Sequence, residues 1–344
     1  MQGEIAATGS TLLVGNDVTL TATSRTAAPR APSIVAVTHP EEGLWYSTAI
    51  TPMHSNEISV SHDLVKSLVE QQLPQWADLE LRMYDSAGSD NWMFRLGDEY
   101  CVRLPRRPDA APRIAKEAEW LPVLAPRLPL AIPSPVSIGE PTDEFPWPWS
   151  VQRWLPGRDL GEAVLDRPIE AARALASFLS ALHVQGPDDL LFGDHNFYRG
   201  CPLKERAPIT EECMAKMENV IDAEAARDVW ESAREAPVWS APSTWVHGDL
   251  NARNILCHEG DLSAIIDFGG LGVGDPACDL MIAWTVFGAA PREAFREALQ
   301  VDEAMWRRGR GWALSTAVVA WPYYAESNPQ FATDCLRTVE ATIT

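Results

Sequence analysis

The stretch that decides the reading of this chain is Trp245-Val-His-Gly-Asp-Leu-Asn-Ala-Arg-Asn-Ile-Leu-Cys257, followed by Ala264-Ile-Ile-Asp-Phe-Gly269. It holds Asp249, Asn254 and Asp267 within nineteen residues. The apolar runs around them predict a strand, a loop, a second strand and a turn. Gly248 lets the backbone bend at the first strand's end and aim the Asp249 carboxylate out of it. A carboxylate so placed can accept the proton of a hydroxyl. Asn254 offers a neutral oxygen and Asp267 an anionic one, hard donors that suit Mg²⁺ shared with the phosphates of a nucleoside triphosphate. A lone Asp or Asn is ordinarily a turn or cap residue. The spacing His-x-Asp-x-x-x-x-Asn, followed by Ile-Asp-Phe-Gly, carries more, because together these side chains supply both halves of a phosphoryl transfer. Asp249 is the expected proton acceptor, and Asn254 and Asp267 are the expected metal ligands. His247 is expected to hydrogen-bond the backbone near Asp267, since a second proton acceptor is not needed.

Outward from this stretch, the C-terminal half reads as helices at 169–184, 211–221, 223–235, 275–287, 292–299 and 303–324. Asp275 before Pro276 has the pattern of an N-cap with proline at the first helical position, and Asp279 is expected to brace the loop around Asp249. Towards the N-terminus lie short β-type runs at 79–84, 92–96 and 100–104, joined by Asp85-Ser-Ala-Gly-Ser-Asp-Asn91 and Gly97-Asp-Glu99. An amphipathic helix precedes them, with Leu64, Val65, Leu68, Val69 and Leu73 on one face until Pro74. Another helix starts near Pro112, and Pro122 is expected to kink it or to start a new turn. Strands near 136–138 and 149–154 then lead to Leu155-Pro-Gly157, a linker.

The pattern is α+β and bilobal: a small β-rich lobe over 53–154 and a larger, mainly helical lobe over 155–344, with a ligand cleft expected between them. Residues 1–52 are rich in Thr, Ala, Ser and Pro and weakly periodic. They read as a disordered or upstream extension, with Met53 opening the ordered pattern. A short strand at 18–23 is the one element they suggest.

In the small lobe, Arg103 sits in the strand Tyr-Cys-Val-Arg-Leu, where a core-facing charge needs a partner. Glu117, on the apolar edge of the next helix, can supply it. The pair would hold the guanidinium over the α- and β-phosphates of a nucleotide; the plainer alternative is an exposed edge-strand arginine beside Arg106 and Arg107. Ser86, Gly88, Ser89 and Asn91 belong to a turn whose amides can face phosphates, although a hairpin turn explains it equally well. Gln152 and Trp154, at the lobe junction, would place backbone donors and acceptors beside an adenine or guanine ring, with the indole of Trp154 read as hinge packing.

Composition narrows the partners. With 344 residues and 46% hydrophobic content, the chain can build a core and two domains. Its net charge of −20 disfavours nucleic acid, which needs clustered Lys and Arg, and would steer a cationic small molecule inward. Six scattered cysteines without C-x-x-C pairs argue against a zinc site or a disulfide framework. No run of eighteen apolar residues suggests a membrane span, and no secretory signal is seen, so the cytoplasm is the expected compartment. Oligomeric state is not legible.

From about residue 60 to 330 the chain resembles the aminoglycoside phosphotransferase family, which has a protein-kinase-like fold. The resemblance lies in Ser86–Asn91, Phe94-Arg-Leu-Gly-Asp98, Val102-Arg-Leu-Pro-Arg-Arg107, Trp149-Ser-Val-Gln-Arg-Trp-Leu-Pro-Gly157, Asn196-Phe-Tyr-Arg-Gly200, His247-Gly-Asp-Leu250 with Asn254, and Ile266-Asp-Phe-Gly269. It implies Asp249 as base, Asn254 and Asp267 as Mg²⁺ ligands, and Glu117 as the helix partner of the phosphate-binding cation. That cation is commonly Lys in the family and is Arg103 here, which keeps the charge and adds a bidentate fork. The family modifies aminoglycosides, macrolides and other antibiotics and includes small-metabolite kinases, so the resemblance implies the reaction and leaves the acceptor open. The expectation is an ATP- or GTP- and Mg²⁺-dependent kinase of a small-molecule hydroxyl, cationic or glycosylated acceptors included. An antibiotic, inactivated to give resistance, is the leading class. The alternatives are a kinase of an ordinary metabolite, such as an amino alcohol or sugar, and a nucleotide-binding pseudokinase, against which intact Asp249, Asn254 and Asp267 stand.

Overall fold

The computed structural model describes residues 57–84 and 90–344. The expectations for residues 1–52, including the strand at 18–23, and for Ser86, Gly88 and Ser89 fall outside these residues. Helix α1 (His62–Gln72) opens the described chain, capped by the Ser61 hydroxyl, which accepts from the Leu64 N–H, and buries Val65, Leu68 and Val69. Strands β1 (Leu81–Tyr84), β2 (Asn91–Leu96) and β3 (Tyr100–Pro105) follow. Helix α2 (Ala111–Leu124) then precedes β4 (Pro135–Gly139) and β5 (Trp149–Arg153). These five strands form one antiparallel sheet in the order β1-β2-β3-β5-β4. Trp92, Phe94 and Leu96 point inward on β2 at the spacing of two that a half-buried strand requires.

The larger part begins with β6 (Arg158–Asp159), α3 (Pro168–Leu182), α4 (Leu203–Lys216), α5 (Ala223–Glu235) and β7 (Thr244–Val246). It continues through β8 (Ile255–His258), β9 (Asp261–Ile265), β10 (Gly272–Gly274) and α6 (Ile282–Thr285) to α7 (Ala289–Leu299), α8 (Glu303–Tyr324) and α9 (Pro329–Ile343). One apolar cluster fills the small lobe around Phe94, Val102, Leu104, Trp149 and Val151. A second fills the helical lobe around Phe178, Leu179, Val246, Phe268 and Trp312, and takes in Leu121 and Leu124 of α2. The end of α2 is therefore packed on the large lobe, with Trp120 against Trp245 at a ring separation of 4.9 Å. Among the described residues no helix is long and apolar enough to cross a membrane. All six cysteines are free and buried.

Four expectations are corrected. Helix α2 continues through Pro122, so no new turn starts at the proline: one backbone hydrogen bond is lost there, but burial of Leu121 and Leu124 on either side outweighs it. Helix α4 starts at Leu203, well before residue 211, and carries Pro208 inside it. Residues 275–287 are not one α-helix but a 3₁₀ run, Pro276–Met281, followed by α6; all six residues of the run are buried, and the carboxylates of Asp275 and Asp279 are both engaged. Helix α9 was not expected. Its buried face is Ala332, Cys335, Thr338, Val339 and Thr342, too small and polar to show an apolar period.

The pairing of the short strands of the large lobe places the decisive loops. Strand β7 pairs with β10, and β8 pairs with β9. The second hairpin is nested inside the first, so the loop between β7 and β8 and the turn between β9 and β10 come out side by side. The Ile266 N–H donates to the Asn254 carbonyl at 2.9 Å across that seam.

Candidate active site

The loop Val246–Asn254 is fixed from behind before any functional group is considered. Asp279, fully buried, accepts the His247 N–H on Oδ2 at 2.9 Å and the Gly248 N–H on Oδ1 at 2.8 Å. His183 Nε2 lies 3.0 Å from the same Oδ2. Burial opposes the Asp279 charge, yet the hydrogen bond and charge of His183 and the Gly248 amide outweigh it and hold the carboxyl below its ordinary range. The expected brace is thus present. Gly248 has φ +83°, and a Cβ there would sit 2.5 Å from the Gly270 carbonyl, so glycine is required at this crossing.

His247 is fully buried, with Nε2 3.0 Å from the Ile266 carbonyl and Nδ1 accepting the Asp249 N–H at 3.2 Å. An N–H donor on Nδ1 leaves the proton on Nε2, so both ring nitrogens of a neutral imidazole are used. The side chain locks the loop onto the Asp267 segment, as expected from the sequence. Asp249 emerges from this scaffold with 38% of its side chain open. Its Oδ2 accepts from Asn254 Nδ2 at 3.2 Å and from Asn251 Nδ2 at 3.5 Å, and its Oδ1 lies 3.5 Å from Arg199 Nη2. Enclosure raises the carboxyl pKa; Arg199 opposes the shift and Asp267 reinforces it.

Asn254 is buried, and its Nδ2 also donates to the Asp249 carbonyl at 2.8 Å. Both bonds use the amide nitrogen, which leaves Oδ1 as the group that can meet a cation. Asp267 sits in the left-handed region at φ +63° and caps the short Phe268–Gly270 turn. A non-glycine residue held there stores about 1 kcal/mol or more. Among the described residues no group of three His, Cys, Asp or Glu side chains can hold a metal ion. One amide oxygen and one carboxylate fit Mg²⁺, which takes its other ligands from phosphates and water.

On the small-lobe side, Arg103 and Glu117 form a buried ion pair through Nη1 and Oε2, with Nη2 3.5 Å from Oε1. Burial opposes the guanidinium charge, but Glu117 and then Asp267 outweigh it and raise the pKa of Arg103. This small-lobe cation therefore lies within electrostatic reach of the large-lobe carboxylate. The Gln152 side chain turns inward to Glu117 at 3.4 Å. The Trp154 ring lies 5.0 Å from that of Tyr84 and 4.1 Å from the Arg95 guanidinium carbon, and the Trp154 backbone N–H donates to the Glu99 carbonyl at 2.7 Å. Asn91 is the first residue of β2, its carbonyl accepting from Arg106 Nε at 3.3 Å.

Two contributors were not read from the sequence as site residues. Lys116, beside Glu117, donates its ammonium to the carbonyls of His195 (3.1 Å), Gly269 (3.0 Å) and Leu271 (2.7 Å). It ties α2 to the Asp267 turn, and burial lowers its pKa to about 8. Arg199 stood in a quoted motif without an assigned role, and it reaches Asp249 from a third loop. The pKa of Tyr324, at the end of α8, is raised by burial and then by Tyr323, Asp249 and Asp90.

The sequence model of the phosphotransferase enzyme family matches residues 84–312. Viomycin phosphotransferase of Streptomyces vinaceus is 29% identical over 204 residues, 56% of this chain and 69% of that protein. The uncharacterized protein YcbJ of Bacillus subtilis is 25% identical over 238 residues, 63% of this chain and 71% of that one. Among solved structures, the GDP and kanamycin complex of APH(2")-IIIa matches with a TM-score of 0.63 at 20% identity, covering 81% of this chain and 97% of its own. Macrolide 2'-phosphotransferase MphH of Brachybacterium faecium matches with a TM-score of 0.53 at 21% identity, covering 80% and 97%. At such identities these structures establish the fold, which is bilobal and kinase-like. The family match spans well over half of the chain and carries the chemistry: this chain belongs to the phosphotransferase enzyme family, as a phosphotransferase of small molecules with an alcohol group as acceptor.

Proposed function

We propose that the chain moves the γ-phosphoryl group of ATP or GTP, as the Mg²⁺ complex, to a hydroxyl of an antibiotic in the cytoplasm and so inactivates it. The observation that supports this reading is that Asn254 holds the Asp249 carboxylate while Arg103, paired with Glu117, lies within electrostatic reach of Asp267. Asp249 takes the hydroxyl proton as the acceptor oxygen bonds to the γ-phosphorus; the bond to the nucleotide's bridging oxygen breaks, and its electron pair leaves with the diphosphate. Arg103 holds the α- and β-phosphates, and Glu117 holds Arg103. Asn254 Oδ1 and the Asp267 carboxylate are the groups that would hold Mg²⁺. When bound, the ion neutralises charge on the phosphoryl oxygens.

An antibiotic acceptor is supported by what similar proteins act on or bind by name: viomycin, kanamycin and macrolides. The net charge of −20 favours cationic members of that set. The test is consumption of MgATP and MgGTP against kanamycin, streptomycin, viomycin, a macrolide, choline and glucose, comparing wild type with Asp249→Ala. Turnover with one antibiotic that vanishes in the variant supports the reading. Turnover with choline or glucose alone moves the acceptor to ordinary metabolites. Nucleotide binding with no Asp249-dependent turnover on any acceptor sinks the kinase reading.

A further inference from the structure

The segment Gly193–Gly200 has no part in the scheme above, yet its Arg199 reaches Asp249 and its backbone is held on several sides. Asn196 is fully buried, accepts the Gly193 N–H on Oδ1 at 3.0 Å and donates Nδ2 to the Arg199 carbonyl at 2.9 Å. Phe197 and Tyr198 both adopt left-handed backbone, at φ +57° and +56°. Two successive residues of that kind, neither glycine, raise the free energy of the fold and persist only where surrounding contacts over-determine them. Gly200, at φ +83°, closes the loop: its carbonyl accepts the Asp275 N–H at 2.8 Å, and a Cβ on it would stand 3.1 Å from Gly274 Cα.

All of these constraints flank one side chain. The stem of Arg199 crosses Gly248, where a Cβ would meet Arg199 Cβ at 2.9 Å and Cγ at 3.1 Å. Glycine at 248 thus serves this crossing as well as the loop bend. The guanidinium then forks, with Nη1 on Thr316 Oγ1 of α8 at 3.1 Å and Nη2 on Asp249 Oδ1 at 3.5 Å, while Nε is buried and has no partner among the described residues. Asn254 and Asn251 hold only Oδ2 of the carboxylate. Arg199 is the cation on the other oxygen.

We propose that Arg199 is a positioning residue for phosphoryl transfer: anchored on Thr316, it fixes the plane of the Asp249 carboxylate against rotation and offsets the like charge of Asp267 facing it. The inference rests on the reading of Asp249 as proton acceptor. A planar guanidinium can span two anchors at once, whereas a lysine ammonium is a point charge that satisfies one of them. Nucleotide binding belongs to other groups, so loss of Arg199 acts on the transfer step and leaves nucleotide affinity alone.

The experiment measures kcat and nucleotide KM for MgATP and MgGTP hydrolysis, with water as acceptor, in wild type, Asp249→Ala, Arg199→Met, Arg199→Lys and Thr316→Val, alongside thermal unfolding of each. The expected result is a kcat lowered about 30- to 100-fold in Arg199→Met, short of the roughly 10²- to 10⁴-fold that a general base contributes because Asp249 itself remains, with nucleotide KM within about threefold. Arg199→Lys recovers part of that loss, Thr316→Val loses only a few-fold, and added guanidinium ion raises the kcat of Arg199→Met. A kcat within threefold of wild type in Arg199→Met overturns the proposal. So does a parallel rise in nucleotide KM, or a loss that tracks unfolding and responds to neither Lys nor guanidinium. Should Arg199→Met not fold, Arg199→Lys decides alone, since unchanged kcat there contradicts the two-anchor requirement. If wild type shows no Asp249-dependent turnover with water, the same variants are compared on the acceptor that the panel above identifies; if no acceptor gives Asp249-dependent turnover either, the kinase reading itself has failed and takes this inference with it, whereas Asp249-dependent turnover with indifferent Arg199 variants removes this inference only.

Discussion

Replacing Asp279 by Asn changes one atom and should dismantle the scaffold behind Asp249. The native carboxylate accepts hydrogen bonds from the His247 and Gly248 amides, from His183 and, more weakly, from the Cys278 thiol at 3.7 Å, with no solvent exposure. Asparagine can keep its oxygen at the Oδ2 position and retain two of them. Its NH₂ then faces the Gly248 N–H, donor against donor. One buried amide left unpaired costs about 1–3 kcal/mol, and the two surviving bonds each weaken by about 1 kcal/mol on losing the charge. Relief from burying an anion returns part of this, leaving a net loss of roughly 2–4 kcal/mol. At about 2–4 °C per kcal/mol for a domain of this order, the melting temperature should fall by roughly 5–15 °C. Because Gly248 directly precedes Asp249, kcat should fall as well. Denaturant unfolding, thermal melting and turnover read the three quantities. An Asp279→Asn variant whose unfolding free energy lies within about 0.5 kcal/mol of wild type, with full turnover, would refute the claim that this carboxylate braces the loop. The lowered pKa adds a direction: Asp279 contributes stability above the ordinary carboxylate range and loses it as pH falls through the depressed folded value.

Lys116→Met removes three hydrogen bonds that join α2 to the Asp267 turn; stability should drop by about 1–3 kcal/mol and nucleotide KM should rise, and a variant unchanged in both contradicts the linkage. Cys101, Cys201 and Cys335 have thiol pKa values pushed by burial to about 11, 11 and 12. Unfolded thiols lose their protons near pH 9 and these do not, so stability falls as pH rises above 9, by up to about 2.7 kcal/mol for each two-unit shift. A melting temperature that is flat from pH 8 to 10.5, or rapid reaction of native thiols with a chromogenic thiol reagent, would contradict this burial. A chain starting at Met53 is expected to fold and to turn over within about twofold of the full chain, since the sequence of residues 1–52 has no sustained apolar period with which to build a core; loss of folding would show that residues 1–52 belong to it.

How much could be read beforehand depended on how local each signal was. The groups Asp249, Asn254 and Asp267 were legible because nested hairpins bring together residues that are close in sequence. The Arg103–Glu117 pair was legible because a charge inside a strand such as Tyr-Cys-Val-Arg-Leu demands a partner, and one helix followed. Lys116 was not legible: its partners are backbone carbonyls of His195, Gly269 and Leu271, and no residue type marks a carbonyl. Arg199 was visible in a motif, but its target lies fifty residues away. Among elements, α9 stayed hidden because Ala332, Thr338 and Thr342 bury without an apolar period. Pro122 suggested a boundary that packing overrides.

The central claim is that Asp249 carries phosphoryl transfer to a hydroxyl. The most direct measurement follows label from the γ-phosphate of ATP and GTP into an acceptor hydroxyl, in wild type and in Asp249→Asn, with nucleotide affinity measured on both. The account predicts a phosphate ester on the acceptor in wild type and a loss of transfer of about 10²-fold or more in the variant, with nucleotide affinity retained. Label transfer that proceeds equally well without the Asp249 carboxylate would contradict it.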